Sequence, residues 1–250
     1  MADSAAYMIR WDSCSANPYL YGSSVRYMPD GSVRFENELM PSGYVINEWS
    51  SDTNFQRDRH EPQLPILWEE CSYTFRAYYS EKPAHTVFLR VDFYDHQGSG
   101  LGYQIFDKKM GSFRVPKGMF RYTMQLVSGG MKKVNFYGME LFAGEKRIFG
   151  GVCNQRDDVD ELNIIIPEMR GRMAYVPESI LAEKLPNAFA ISPCMRILPV
   201  KTQADVMKRL TNGYREVNFR INGNEERQLA VTLAKRIEDS HIRKRLYRYE

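Results

Sequence analysis

The sequence has no apolar run approaching the ~18 residues that cross a bilayer as a helix. Its opening, Met1 to Arg10, lacks the basic and apolar segments of a secretion signal. An integral membrane protein and a secreted precursor are therefore not expected. The four cysteines, Cys14, Cys71, Cys153 and Cys194, lie far apart with no C-x-x-C pair. With no secretion signal they read as reduced thiols in a cytosol rather than as a disulfide framework. His60, His85, His96 and His241 are equally scattered and form no metal-ligand cluster, so neither a metal nor another cofactor is expected. A formal net charge of only +3 is too near neutrality for a dedicated nucleic-acid binder. Catalytic signatures are missing too, with no G-x-S-x-G elbow and no H-E-x-x-H helix. An enzyme is not expected, although carboxylates distant in sequence could still meet in space.

What the sequence does contain is alternation. Val87, Leu89, Val91 and Phe93 fall on one face of a period-two segment, as do Phe120, Tyr122, Met124 and Leu126 in a second. Tyr73, Phe75, Ala77 and Tyr79 make a third. Such segments predict strands with one buried and one exposed side. Weaker candidates lie at 19–27, 32–36, 43–50, 101–106, 112–115, 133–142 and 161–166. Pro29-Asp30-Gly31 lies between two of them as a hairpin turn, and His96 to Gly100 and Ser128-Gly-Gly130 separate others. Many short strands without intervening helices predict a mainly β protein, a sandwich or jelly roll.

Charge divides the chain. Residues 1–166 carry 18 basic and 21 acidic side chains, whereas residues 167–250 carry 16 and 10. The expectation is a β-sandwich over 1–166 and a basic, small α+β tail over 167–250. In the tail, Thr202 is positioned to cap a helix through Asn212, with Asp205 at the capping-box position and Gly213 as its stop. Val217, Phe219 and Ile221 alternate as a strand. Asn224 could cap a last helix with Leu229, Leu233 and Ile237 on one stripe and Arg243, Lys244, Arg245 and Arg248 in its final turns. That stripe must bury against the sandwich or a partner, which makes it a candidate docking surface.

Two segments resemble sites without the chemistry of one. Gly98-Ser-Gly-Leu-Gly102 has no helix behind it to aim N–H groups at a phosphate, so it reads as a hairpin loop. Asp157-Asp-Val-Asp-Glu161 lacks the turn glycine of a calcium loop and reads as a solvated acidic loop. The polar faces of the three best strands are more informative. They would show Arg76 and Tyr78, then Arg90, Asp92 and Tyr94, then Arg121, Thr123 and Gln125. If the strands are neighbours, rings and forked donors and acceptors gather in one patch, with Trp49 as a further stacking ring. Such a patch suits sugar hydroxyls or an extended peptide. An ordinary solvated sheet face is the plain alternative.

Six pieces of the N-terminal half occur in a recognisable order. Tyr19-Leu-Tyr-Gly-Ser-Ser24 precedes Phe35-Glu-Asn-Glu-Leu-Met-Pro-Ser-Gly43; then come Ile46 with Trp49-Ser-Ser51, Asn54-Phe-Gln56 and Pro62-Gln-Leu-Pro-Ile-Leu67, before a strand opening at Tyr73. With Phe93-Tyr94-Asp95 and the stretch Tyr122 to Leu141, they resemble the third accessory secretory proteins of the accessory Sec system of Gram-positive bacteria. The likeness spans about residues 8 to 145, and the tail from Pro167 matches nothing comparable. The resemblance implies a jelly roll like that of carbohydrate-binding modules, without catalysis. It implies two companion accessory secretory proteins, one glycosyltransferase-like and one with an acyltransferase-like domain. It implies a SecA-type motor ATPase and a glycosylated serine-rich adhesin as the exported substrate. The chain would then be a cytoplasmic adaptor, peripheral at the inner face of the membrane. A free-standing carbohydrate-binding module is the alternative.

Overall fold

Burial of one alternating face per strand builds the larger part of this protein. The computed structural model describes residues 5–13, 18–53, 61–144, 153–176, 180 and 183–248. Cys14, His60 and the segment Asn54-Phe-Gln56 lie outside the described residues. The chain divides into two units, one of Ile9–Gly144 and one of Met1–Met8 with Glu145–Glu250. The division therefore falls after Gly144 and not near Pro167. Among the described residues no helix is long and apolar enough to cross a membrane.

Strand β1 (Ala5–Ile9) opens the chain and is taken with the second unit. In the first unit, β2 (Ser24–Tyr27), β3 (Val33–Glu36), β5 (Ser72–Lys82), β8 (Met110–Arg114) and β10 (Lys133–Ala143) pair antiparallel in the order β2-β3-β10-β5-β8. The strands β4 (Val45–Ser50), β6 (Val87–Tyr94), β7 (Gly100–Phe106) and β9 (Arg121–Ser128) form a second antiparallel sheet in the order β4-β9-β6-β7. From β7 to β10 the chain changes sheet at every step, as in a jelly roll. The three strong alternating segments became β5, β6 and β9, and Tyr73, Phe75, Val91, Phe93, Tyr122 and Met124 are all buried.

Rings join the two sheets. Trp49 on β4 lies 5.3 Å from Phe136 on β10, and Phe93 on β6 lies 5.8 Å from Phe113 on β8. Trp11 completes the cluster at 5.9–6.2 Å from Phe35, Trp49 and Phe136. The β2–β3 turn matches its sequence: Gly31 takes φ 85°, and Asp30 accepts bonds from the Ser32 backbone and hydroxyl, which hold its carboxyl below the usual range. The Gly98 to Gly102 stretch belongs to the β6–β7 hairpin, where Asp95 Oδ1 accepts from Gln97 N and Ser99 N. Phe120 departs from expectation. Strand β9 begins one residue later, so Phe120 is exposed and stacks on His96 at 4.5 Å instead of entering the core.

The second unit is helical as well as stranded. Its β1 pairs antiparallel with β13 (Met173–Tyr175), which also pairs with β12 (Glu168–Arg170). A parallel sheet orders β14 (Ala188–Ala190), β11 (Glu161–Ile165), β15 (Glu216–Ile221) and β16 (Arg243–Arg248) as β14-β11-β15-β16. Helix α1 (Val200–Thr211) carries the chain from β14 to β15, and α2 (Asn224–Ala234) carries it from β15 to β16. The segment 161–166, expected as a strand of the sandwich, instead supplies β11, a central strand of this sheet. Its apolar residues Leu162, Ile164, Ile165 and Ile166 are buried, as parallel strands require, and the buried Asn163 between them donates to Pro186 O.

Helix boundaries also moved. Helix α1 begins at Val200, after Pro199 at its N-cap, so Thr202 falls inside the first turn and caps nothing; Gly213 at φ 89° follows its end as expected. Helix α2 stops at Ala234, and the basic segment expected to prolong it is strand β16. Consecutive charges at an edge exposed on both sides leave no alternation to read, and backbone pairing with β15 decides the structure.

Asn187 holds the acidic loop onto the entrance of β11. Fully buried at φ 46°, it accepts from Arg156 N and donates toward Arg156 O, Val159 O and Glu161 O at 3.0–3.2 Å. Replacement by alanine leaves these groups unmet and strains the backbone, so Asn187→Ala is expected to destabilise this unit by about 2–4 kcal/mol. Urea unfolding followed by the helical circular-dichroism signal checks it, because the described helices all lie in this unit.

Candidate functional site

The outer face of the four-stranded sheet gathers most of the polar residues singled out above. Pleating that buries Val91, Phe93, Tyr122 and Met124 turns their sequence neighbours outward. Register then sets three rows. Glu48, Gln125, Arg90 and Ile105 lie in line across β4, β9, β6 and β7; Ser50, Thr123, Asp92 and Tyr103 form the next row; and Arg121 lies opposite Tyr94.

Within these rows the side chains hold one another. Arg90 donates from Nε, at 3.0 Å, and from Nη2 to Asp92 Oδ1, which raises the guanidinium above its ordinary pKa. Its guanidinium carbon lies 4.5 Å from the centre of the Tyr103 ring, and that of Arg121 lies 4.2 Å from the centre of Tyr94. Gln125 Nε2 donates to Glu48 Oε2. Two groups are left over. Asp92 Oδ2 and Thr123 Oγ1 are buried without a hydrogen-bond partner, on residues only 6% and 3% exposed. They belong to directly opposed residues of β6 and β9. The rings that carry guanidinium groups flank this pair on the outer face, an arrangement suited to a ligand with hydroxyl or amide groups. A buried polar group left unmet costs about 1–3 kcal/mol, a cost this pair carries beneath the face.

The structure therefore brings Arg90, Asp92, Tyr94, Arg121 and Gln125 together and excludes the rest of the expected set. Tyr78 lies on β5, in the other sheet, with its hydroxyl 3.5 Å from Glu140 Oε2. Trp49 is buried between the sheets, its Nε1 donating to Arg10 O at 2.8 Å. Leu229, Leu233 and Ile237 are buried as well, with α2 packed on β15 within its own unit, so this stripe offers no docking surface. Tyr103 and Glu48 were missed. The signal for Tyr103 was the alternation of Leu101, Tyr103 and Ile105 in a segment with no charge.

Residues 18–142 match the family described as the accessory Sec secretory system ASP3. The chain belongs to this family. It is 33% identical to the accessory Sec system protein Asp3 of Streptococcus gordonii over 123 residues, 49% of this chain and 77% of that one. It is 27% identical to the accessory Sec system protein Asp3 of Staphylococcus aureus over 136 residues, spanning 54% of this chain and 42% of that relative. Among solved structures it is similar to a chain in the crystal structure of accessory secretory protein 1, 2 and 3 of Streptococcus pneumoniae. That match has a TM-score of 0.53 and 30% identity, covering 58% of this chain and 98% of the other. A chain of the Glycosylation Associate Protein (Gap123) complex of Streptococcus agalactiae shares the fold over 97% of this chain and 78% of its own, with a TM-score of 0.58 at 22% identity. The family match ends at residue 142, just before Glu145, where the chain enters the second unit again.

Removing the carboxylate tests the internal order of the site. Asp92→Ala strands Arg90, which remains partly solvated, so a loss of about 1–2 kcal/mol is expected in urea unfolding. Asp92→Asn keeps the shape and is expected to lose less.

Proposed function

We propose that this chain is a non-catalytic subunit of the accessory Sec system. In this reading it acts in the cytoplasm, peripheral to the membrane, with two companion accessory proteins, and it holds a glycosylated serine-rich adhesin for a SecA-type motor. The observation that carries the reading is family membership through the sandwich residues 18–142, supported by similarity to a chain solved together with accessory secretory proteins of two other kinds. The polar face adds a physical reason: Arg90 and Arg121 lie over the rings of Tyr103 and Tyr94, an arrangement suited to hydroxyl or amide groups. Several shallow contacts made at once, each weak, give avidity without a deep pocket.

The test is co-expression with the two companion proteins of the same organism and capture through a tag on this chain. Recovery of both companions in a single complex is the expected result; a chain recovered alone at the same expression level would remove the reading. A free-standing carbohydrate-binding module is the second reading, and the Arg121–Tyr94 and Arg90–Tyr103 pairs are what favour it. It predicts that a glycan stabilises the isolated chain in thermal unfolding and that Arg121→Ala abolishes the shift while leaving the unliganded melting temperature intact. No shift across a glycan panel counts against this second reading.

A further inference from the structure

Edge strands expose a row of unpaired backbone groups, and stable monomers guard them with charge, proline or cover. Three of the four edges of this sandwich are guarded. Strand β2 carries Arg26 and β8 carries Arg114. Strand β4 carries Glu48, and other segments cover it: Ile46 O accepts from Tyr19 N, and Ser50 O accepts from Gln63 N and Leu64 N.

Strand β7 has none of these protections. It ends the order β4-β9-β6-β7, and its sequence, Gly-Leu-Gly-Tyr-Gln-Ile-Phe, contains no charge and no proline. Among the described residues no backbone group bonds to its outer side. Tyr103 and Ile105, 60% and 56% exposed, face one side along it, opposite Asp92 and Arg90 of β6; Leu101, 39% exposed, is the extra residue of a bulge between Gly100 and Gly102. A strand this apolar, left open, pairs with whatever meets it.

We infer that β7 is a strand-addition site, filled by an extended segment of a companion subunit whose alternate side chains are apolar. This inference rests on the complex proposed above. Backbone hydrogen bonds to the open edge supply affinity, and the exposed apolar side chains select the register of the incoming strand. The exported substrate is the poorer occupant on chemical grounds. A serine-rich segment offers hydroxyls where these side chains take apolar groups, and a passing substrate would leave the edge bare between encounters. A companion subunit covers it permanently.

The test uses the full chain co-expressed with both companions. Leu101→Lys and Ile105→Lys, separately and together, place charges on exposed positions of β7 outside the Arg90–Tyr103 contact. They are expected to reduce companion capture by about tenfold or more, with melting temperature unchanged. Trp68→Lys, at another exposed ring of the sandwich, is the control and should capture normally. Backbone amide exchange over Gly100–Phe106, which should slow in the complex relative to the isolated chain, gives a readout without substitution. Normal capture by the lysine variants, or unchanged exchange, overturns the strand-addition site and leaves the proposed complex standing. Failure of the unsubstituted chain to capture either companion overturns both. Dimerisation of the isolated chain through β7, with capture unaffected, would give the edge to a second copy and overturn the companion as its occupant.

Discussion

The contact between inward-facing rings of two antiparallel sheets is the constraint on which the sandwich depends. Trp49, Phe136, Trp11 and Phe35 form one cluster, while Phe93 and Phe113 meet across the sheets elsewhere. Such rings bury large areas and allow few arrangements, so the register of β4, β6, β9 and β10 cannot slip without expelling them. The tryptophan that looked like a stacking platform for a ligand is thus committed to the core. Its indole N–H is committed as well, to the carbonyl of Arg10.

The outer face follows from the inner one. With Val91 and Met124 turned inward, Arg90, Asp92, Thr123 and Gln125 have no other side to occupy, and pairing of β6 with β9 places Asp92 beside Thr123. The result is a polar layer that is internally bonded except at two buried atoms. The same sheet ends in β7, where polar character gives way to an exposed apolar edge. One sheet therefore presents two surfaces of different chemistry. The outer face carries charged and amide groups, and the edge strand β7 carries exposed apolar side chains.

The second unit follows a different rule. Its strands run parallel and its helices serve as crossovers, so the apolar stripe of α2 is used up against β15. An amphipathic helix in a sequence indicates only that something covers its apolar side, and here the cover is the unit's own sheet. The basic segment 243–248 likewise completes that sheet, pairing with β15 through its backbone rather than through a helical face.

Local alternation was enough to locate the strands of the sandwich, because period two is imposed on each strand by its own pleat. Turn chemistry at Asp30-Gly31 was equally local. The sequence thus determined by itself that the protein is mainly β, which side of β5, β6 and β9 is buried, and which family it resembles. Only the tertiary structure decided which strands share a sheet. That put Tyr78 on the opposite sheet from Arg90, drew 161–165 into a parallel sheet, and left β7 at an open edge. Strand neighbours are chosen by contacts between residues distant in sequence, and no periodicity within a single segment carries that information.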